Sequence, residues 1–245
     1  NNFTTELPGA DTKALELDSR LDSRIAQGLA LMPTTYSTSP EIDADYPTTL
    51  SAIADMEAED RQRHDLFESL LPPVTSVEVH QEVISGDDDN PITLYIHRPI
   101  NQNSPLPGVV HLHGGGMAMM SATDPGYTFL RSAMAQEGMV VIGVEFRNSA
   151  GRLGSHPFPA GLNDCASAVK WAYEQKERLK LSSLIVSGES GGGNLSLATV
   201  IKARREGWVN QIDGVYACCP FISGEYAKPP AELASIIECD GYMLD

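Results

Sequence analysis

Ahead of Val77 the apolar side chains of this sequence recur three or four positions apart, the spacing of one helix face. Leu21, Ile25, Leu29 and Met32 form one such set, which Pro33 ends. A Thr/Ser/Pro-rich connector runs from Pro33 to Pro47, and a second helix is predicted from about Thr49 to Leu71, closed by Pro72-Pro73. Its Leu50, Ile53, Ala54, His64, Phe67 and Leu71 are placed to line a buried face. Such helices serve either as plain packing or as a lid.

At Val77 the period falls to two. Val77, Val79 and Val83 alternate with polar residues, as do Ile92, Leu94 and Ile96, which reads as an antiparallel hairpin. The acidic turn from Asp87 to Pro91 separates the two strands. It lacks the glycine and distal glutamate of a calcium loop, so a solvated turn is expected. Beyond Pro107 the alternation stops. Val109–Leu112, Met139–Val144 and Leu184–Val186 are continuous apolar runs, as strands covered on both faces require. Helical stretches lie between them. One carries Leu162, Cys165, Ala166, Val169, Ala172 and Tyr173 on a single face, and another runs from Asn194 to about Arg205. A strand over Val215–Ile222 closes the pattern. This rhythm predicts an α/β protein with a mostly parallel sheet and right-handed crossovers.

Composition narrows the function. Of 245 residues, 42% are hydrophobic and 20% charged, a globular balance, and no apolar run is long enough to span a bilayer. The 33 acidic against 17 basic residues give a net charge of −16, which repels nucleic acid and anionic membrane surfaces. Cys165, Cys218, Cys219 and Cys239 form no C-x-x-C pair, so neither a zinc site nor a disulfide framework is indicated, and a reducing cytoplasm is expected. Adjacent cysteines ahead of Pro220 in an apolar strand are expected in the core. The chain begins Asn1-Asn2-Phe3, without an export signal, and reads as trimmed at this end.

The strongest chemical signal is Ser187-Gly188-Glu189-Ser190-Gly191-Gly192-Gly193-Asn194. Gly188, Ser190 and Gly192 fill G-x-S-x-G between a buried strand and a helix, where a sharp turn holds a serine hydroxyl above the sheet. The flanking glycines keep Cβ atoms out of that turn. A phosphate-binding loop is the competing reading, but G-x-G-x-x-G spacing and a following G-K-[ST] are both lacking, and Glu189 would repel phosphate. The second signal is His113-Gly114-Gly115-Gly116 after the strand Val109–Leu112. Loops of this kind supply backbone N–H groups to an oxyanion hole, together with the residue after the nucleophile. The expected donors are Gly115, Gly116 and Gly191. His113 and Gly114 shape the loop, Glu189 braces the elbow, and His111 belongs to the core. Met117, Met119 and Met120 either line an adaptable pocket or fill core space.

With Phe146-Arg147 and the run from His156-Pro157-Phe158-Pro159 to Asp164, these motifs resemble the hormone-sensitive-lipase-like branch of the α/β-hydrolases. The resemblance implies an α/β-hydrolase core over 75–225, a helical N-terminal cap segment over 1–74 and a second cap segment over 226–245. It implies a carboxylesterase with a cap-covered acyl pocket that acts through an acyl-enzyme on Ser190 and uses no metal or organic cofactor; the confined pocket under an N-terminal cap leads to the expectation of small or medium esters. A receptor-like binding protein of the same fold and an amidase or carbamate hydrolase are the alternatives. It leaves room for a homodimer.

The family pattern has an aromatic residue where this chain has Met117, and Asp-Ser-Ala where it has Glu189-Ser190-Gly191. The loop to His156 is also longer than the family's. These departures bear on pocket shape. In this fold the order is Ser, acid, His, yet all six histidines (64, 80, 97, 111, 113 and 156) precede Ser190. Asp213, Asp240 and Asp245 follow it, but none is expected at the end of a later strand. The last two fall in a helix expected near Ile236–Leu244. The last strands, the acid and the histidine are therefore expected in a missing C-terminal segment of the same polypeptide, which would also cover the apolar edge at Val215–Ile222.

Overall fold

The computed structural model describes residues 22–29 and 44–222. The chain divides into two compact units, one of residues 45–222 and the other of 1–44 with 223–245. Of the second unit the description covers the short helix α1 (Ser23–Leu29), where Ile25 is exposed. Leu21, Met32, most of the predicted connector and the expected C-terminal cap segment lie outside the described residues.

The larger unit holds helix α2 (Tyr46–Leu70), the hairpin β1 (Val77–Ser85) and β2 (Pro91–Pro99), then β3 (Leu106–Leu112), α3 (Pro125–Gln136), β4 (Val140–Glu145), α4 (Ala160–Glu174), β5 (Leu181–Glu189), α5 (Gly191–Glu206) and β6 (Gly214–Cys218). The six strands form one sheet in the order β1-β2-β4-β3-β5-β6. β2 runs antiparallel to both neighbours, and β4, β3, β5 and β6 are mutually parallel. This is the expected α/β architecture.

Register explains why the strands lost their alternation. Ile96, Ile142, Val110 and Val186 stand side by side across the sheet. With Leu94, Val144, Leu112 and Leu184 they bury one wholly apolar face beneath Cys165, Ala166, Val169 and Ala172 of α4. The opposite face mixes Val109 and Val141 with His97, His111 and Gly143. Arg131 of α3, itself 1% exposed, lies flat on it, and a Cβ at Gly143 would stand 2.6 Å from its Nε. The Arg131 Nε–H donates to His97 Nε2 at 3.1 Å, and the guanidinium also donates to the Ala122 carbonyl. Burial pulls the Arg131 pKa down to about 10.

Several expectations need correction. α2 begins at Tyr46, not Thr49, because Pro47 occupies a first-turn position where its missing N–H costs nothing, and the Asp45 carboxylate accepts the Thr48 N–H at 2.8 Å. Ala54 and Tyr173 are exposed, so neither belongs to a buried helix face. α5 starts three residues earlier than predicted, directly after Ser190, and stops at Gly207 in the left-handed region (φ 83°). β6 ends at Cys218. Cys219 turns out of the strand with φ 35°, and Pro220 offers no N–H to extend it. Cys218 and Cys219 are exposed rather than core, whereas Cys165 is fully buried. The acidic turn is exposed as expected, but Asp88 and Asp87 also pair with Arg147 and Lys170.

Candidate active site

Ser190 sits where β5 passes into α5 and adopts φ 53°, ψ −118°, a conformation strained for any residue with a side chain. Neighbouring backbone holds it there. Its N–H donates to the Cys218 carbonyl at 3.0 Å, and its carbonyl accepts the N–H groups of Asn194 at 3.0 Å and Phe221 at 3.1 Å. The flanking glycines follow from contact distances. A Cβ on Gly188 would stand 2.5 Å from the Leu112 carbonyl oxygen, and one on Gly192 only 2.0 Å from it. The elbow thus crosses the end of β3 backbone to backbone.

That crossing brings the two motifs together. An ideal Cβ on Gly114 would lie 3.7 Å from the Ser190 Cβ, and one on Gly191 would lie 2.8 Å from Gly116 N and 2.7 Å from Met117 N. Gly115 and Gly116 have φ of 97° and 62°, and the Gly115 carbonyl closes a tight turn by accepting the N–H groups of Ala118 and Met119. The Gly114 N–H donates to Glu189 Oε1 at 3.1 Å. The N–H groups of Gly115, Gly116 and Gly191 have no acceptor among the described residues. Gly191 opens a helix, so the positive end of its dipole points at the same place.

Glu189 joins the pieces. One carboxylate oxygen takes the Gly114 N–H, and the other lies 3.0 Å from His111 Nε2. His113 is engaged within its own loop and against the core. Its Nδ1–H donates to the Gly114 carbonyl at 2.8 Å, and its ring stacks on Phe146 with centroids 4.2 Å apart. No hydrogen bond joins any of the six histidines to the Ser190 hydroxyl among the described residues. Met117 is half-buried with φ 63° and packs against the apolar core.

Burial lowers the pKa of both His113 and His97 to about 3, so both are neutral at pH 7. Unfolded histidines take up a proton near pH 6.5. The folded state resists protonation down to about 3, so the unfolded state binds more protons throughout that window. Stability should be level above pH 6.5. Below it, these two groups should remove about 1.4 kcal/mol per pH unit each. Denaturant titrations from pH 8 to pH 4 check this, with His97→Gln expected to flatten the acid limb.

The sequence places a helical stretch between β3 and β4 without delimiting α3 or the residues it brings to the loop. Tyr127 donates its hydroxyl to Met120 Sδ at 3.2 Å and packs against the rings of His111 and His113; burial raises its pKa. Asp124, the α3 N-cap, accepts the Ser121 N–H at 2.9 Å. The Asp124-Pro125 pair was the available signal for a helix start. Glu145 accepts from the Ser121 hydroxyl at 2.6 Å and the Ala122 N–H at 3.1 Å, and burial raises its pKa. Among the described residues no group of three or more His, Cys, Asp or Glu side chains is arranged to hold a metal ion, and no helix is long and apolar enough to cross a membrane.

Residues 109–243 match the sequence model of the alpha/beta hydrolase fold. The chain belongs to the α/β-hydrolase family. It is 30% identical over 167 residues to the carboxylesterase NlhH of Mycobacterium tuberculosis, covering 66% of this chain and 50% of that one. A gibberellin receptor of Arabidopsis thaliana is 29% identical over 123 residues, 47% of this chain and 32% of the receptor. Among solved structures, brefeldin A esterase, a bacterial homologue of human hormone-sensitive lipase, superposes with a TM-score of 0.81 at 38% identity, covering 94% of this chain and 66% of that one. This places the α/β-hydrolase in the hormone-sensitive-lipase-like branch, as its motifs implied. It spans about half the length of the curated relatives it matches.

Proposed function

We propose that this α/β-hydrolase is the nucleophile-bearing part of a serine carboxylesterase that hydrolyses small or medium acyl esters through an acyl-enzyme on Ser190. The observation that carries the reading is the meeting of a strained serine at a helix N-terminus with the backbone of Gly115, Gly116 and Gly191, whose N–H groups have no acceptor among the described residues. The Ser190 Oγ attacks the ester carbonyl carbon as a base takes its proton. The carbonyl oxygen becomes an oxyanion, which accepts from Gly115, Gly116 and Gly191. Collapse of the tetrahedral species expels the alcohol and leaves the acyl group on Ser190. Water, activated by the same base, then releases the acid.

No hydrogen bond joins any of the six histidines to the Ser190 hydroxyl among the described residues, and in this reading the base and its acid partner come from a C-terminal segment of the same polypeptide. His113 is excluded from that role by its hydrogen bond, its stacking and its low pKa. A ligand-binding receptor is the second reading, favoured by the receptor among the relatives. A short chromogenic ester offered to the complete polypeptide separates the two. Steady turnover is expected, whereas saturable binding of the ester without turnover would support the receptor.

A further inference from the structure

The loop that bears Gly115 and Gly116 continues through Met117–Met120, and this continuation is held from outside the motif. The Ser149 N–H donates to the Met117 carbonyl at 2.9 Å, the Ala150 N–H to the Ala118 carbonyl at 3.0 Å, and the Asn148 amide to the Met120 carbonyl at 2.8 Å. These bonds zip the loop to the segment after β4. One side chain then clamps both partners.

Glu57, from the middle of α2, is 3% exposed. One carboxylate oxygen accepts the Met120 N–H at 2.9 Å, and the other accepts the Arg152 N–H at 2.6 Å. The Arg152 Nε lies 3.6 Å from the first oxygen, and the same guanidinium reaches Asp124 at 3.3 Å. A Cβ on Gly151 would come within 2.8 Å of the Glu57 carboxylate, so the backbone closes around it. A buried carboxylate is costly unless it is paired and hydrogen-bonded, and this one is aimed at two backbone donors four residues or fewer from the catalytic loop or its zipped partner.

We propose that Glu57 is a positioning residue for the oxyanion hole. By fixing the Met120 and Arg152 N–H groups it holds the loop that carries Gly115 and Gly116 beside the elbow. α2 is therefore a buttress of the site in addition to any role in a cap. The inference rests on the esterase reading above, because it assigns Glu57 an effect on oxyanion stabilisation.

The test uses the complete polypeptide with Glu57→Gln, Glu57→Ala and Ser190→Ala. The glutamine keeps one acceptor and presents an NH2 to the other N–H, while alanine removes both acceptors. kcat on a chromogenic ester is expected to fall about 10-fold for the glutamine and about 100-fold for the alanine, with KM within about twofold of wild type. The rate of Ser190 labelling by a fluorophosphonate should fall in parallel. Folded variants with unchanged kcat, or a loss confined to KM, would overturn the proposal. Hydrogen exchange on the wild-type protein covers the case in which the variants do not fold: slow exchange is expected at the Met120 and Arg152 amides, and fast exchange at both refutes the tether. Ester hydrolysis that persists in Ser190→Ala would instead defeat the Ser190 acyl-enzyme reading, and exchange at the Met120 and Arg152 amides would then decide the tether.

Discussion

Ser190→Ala in the complete polypeptide should abolish both ester turnover and labelling by a fluorophosphonate probe, with kcat reduced by about 10⁶-fold, as for nucleophile removal in a serine hydrolase. Among the described residues no neighbouring side chain is placed to form the acyl intermediate in its place. Cys218 and Cys219 follow on the adjoining strand end, but the Cys218 carbonyl, rather than a thiol, is what meets the elbow. The substitution should not harm the fold. It removes a single hydroxyl from a half-buried position, and the elbow is held by backbone bonds that alanine retains. The strained φ of 53° is as available to alanine as to serine, so the melting temperature should stay within a few degrees. Undiminished turnover in a folded Ser190→Ala protein would remove the acyl-enzyme on Ser190 from the reading.

What could be read from the sequence was local. G-x-S-x-G and the glycines after His113 each lie within a few residues, and their geometry depends on the residues that spell them. The buried strands were legible because each is flanked by others, which removes alternation from the pattern. α3 was not delimited because its inner face covers the polar side of the sheet. Arg131 is buried there while its neighbour Leu130 is 40% exposed, so residue type does not mark the inner face. Glu57 was invisible for another reason. Its two backbone partners stand 63 and 95 residues away, and nothing near Glu57 marks a carboxylate as buried. The end of β6 was overrun because Ala217 to Ile222 reads as apolar strand, whereas the left-handed turn at Cys219 is set by the bonds that Cys218 and Phe221 make with Ser190.

The glycines at the elbow give the other large effect, and here two physical arguments predict opposite signs. Gly192 lies in the first turn of α5, and on helix propensity alone alanine would stabilise the protein by about 1 kcal/mol. Contact geometry says otherwise. The new Cβ would stand 2.0 Å from the Leu112 carbonyl oxygen and 2.6 Å from that of His113. Both obstacles are backbone, at the end of a central strand and the start of the oxyanion loop, so no side chain can swing aside. α5 must move off β3, and that movement separates Ser190 from Gly115 and Gly116. Gly192→Ala should therefore cost about 3 kcal/mol, the upper range for overpacking, and lower the melting temperature by roughly 6–12 °C. Labelling of Ser190 should be lost with it. Gly126→Ala in α3 is the matched control. A Cβ there meets nothing within 4 Å, so propensity acts unopposed and the melting temperature should hold or rise. If Gly192→Ala melts no lower than Gly126→Ala and labels Ser190 at the wild-type rate, the backbone crossing of elbow and oxyanion loop is not what holds the site together.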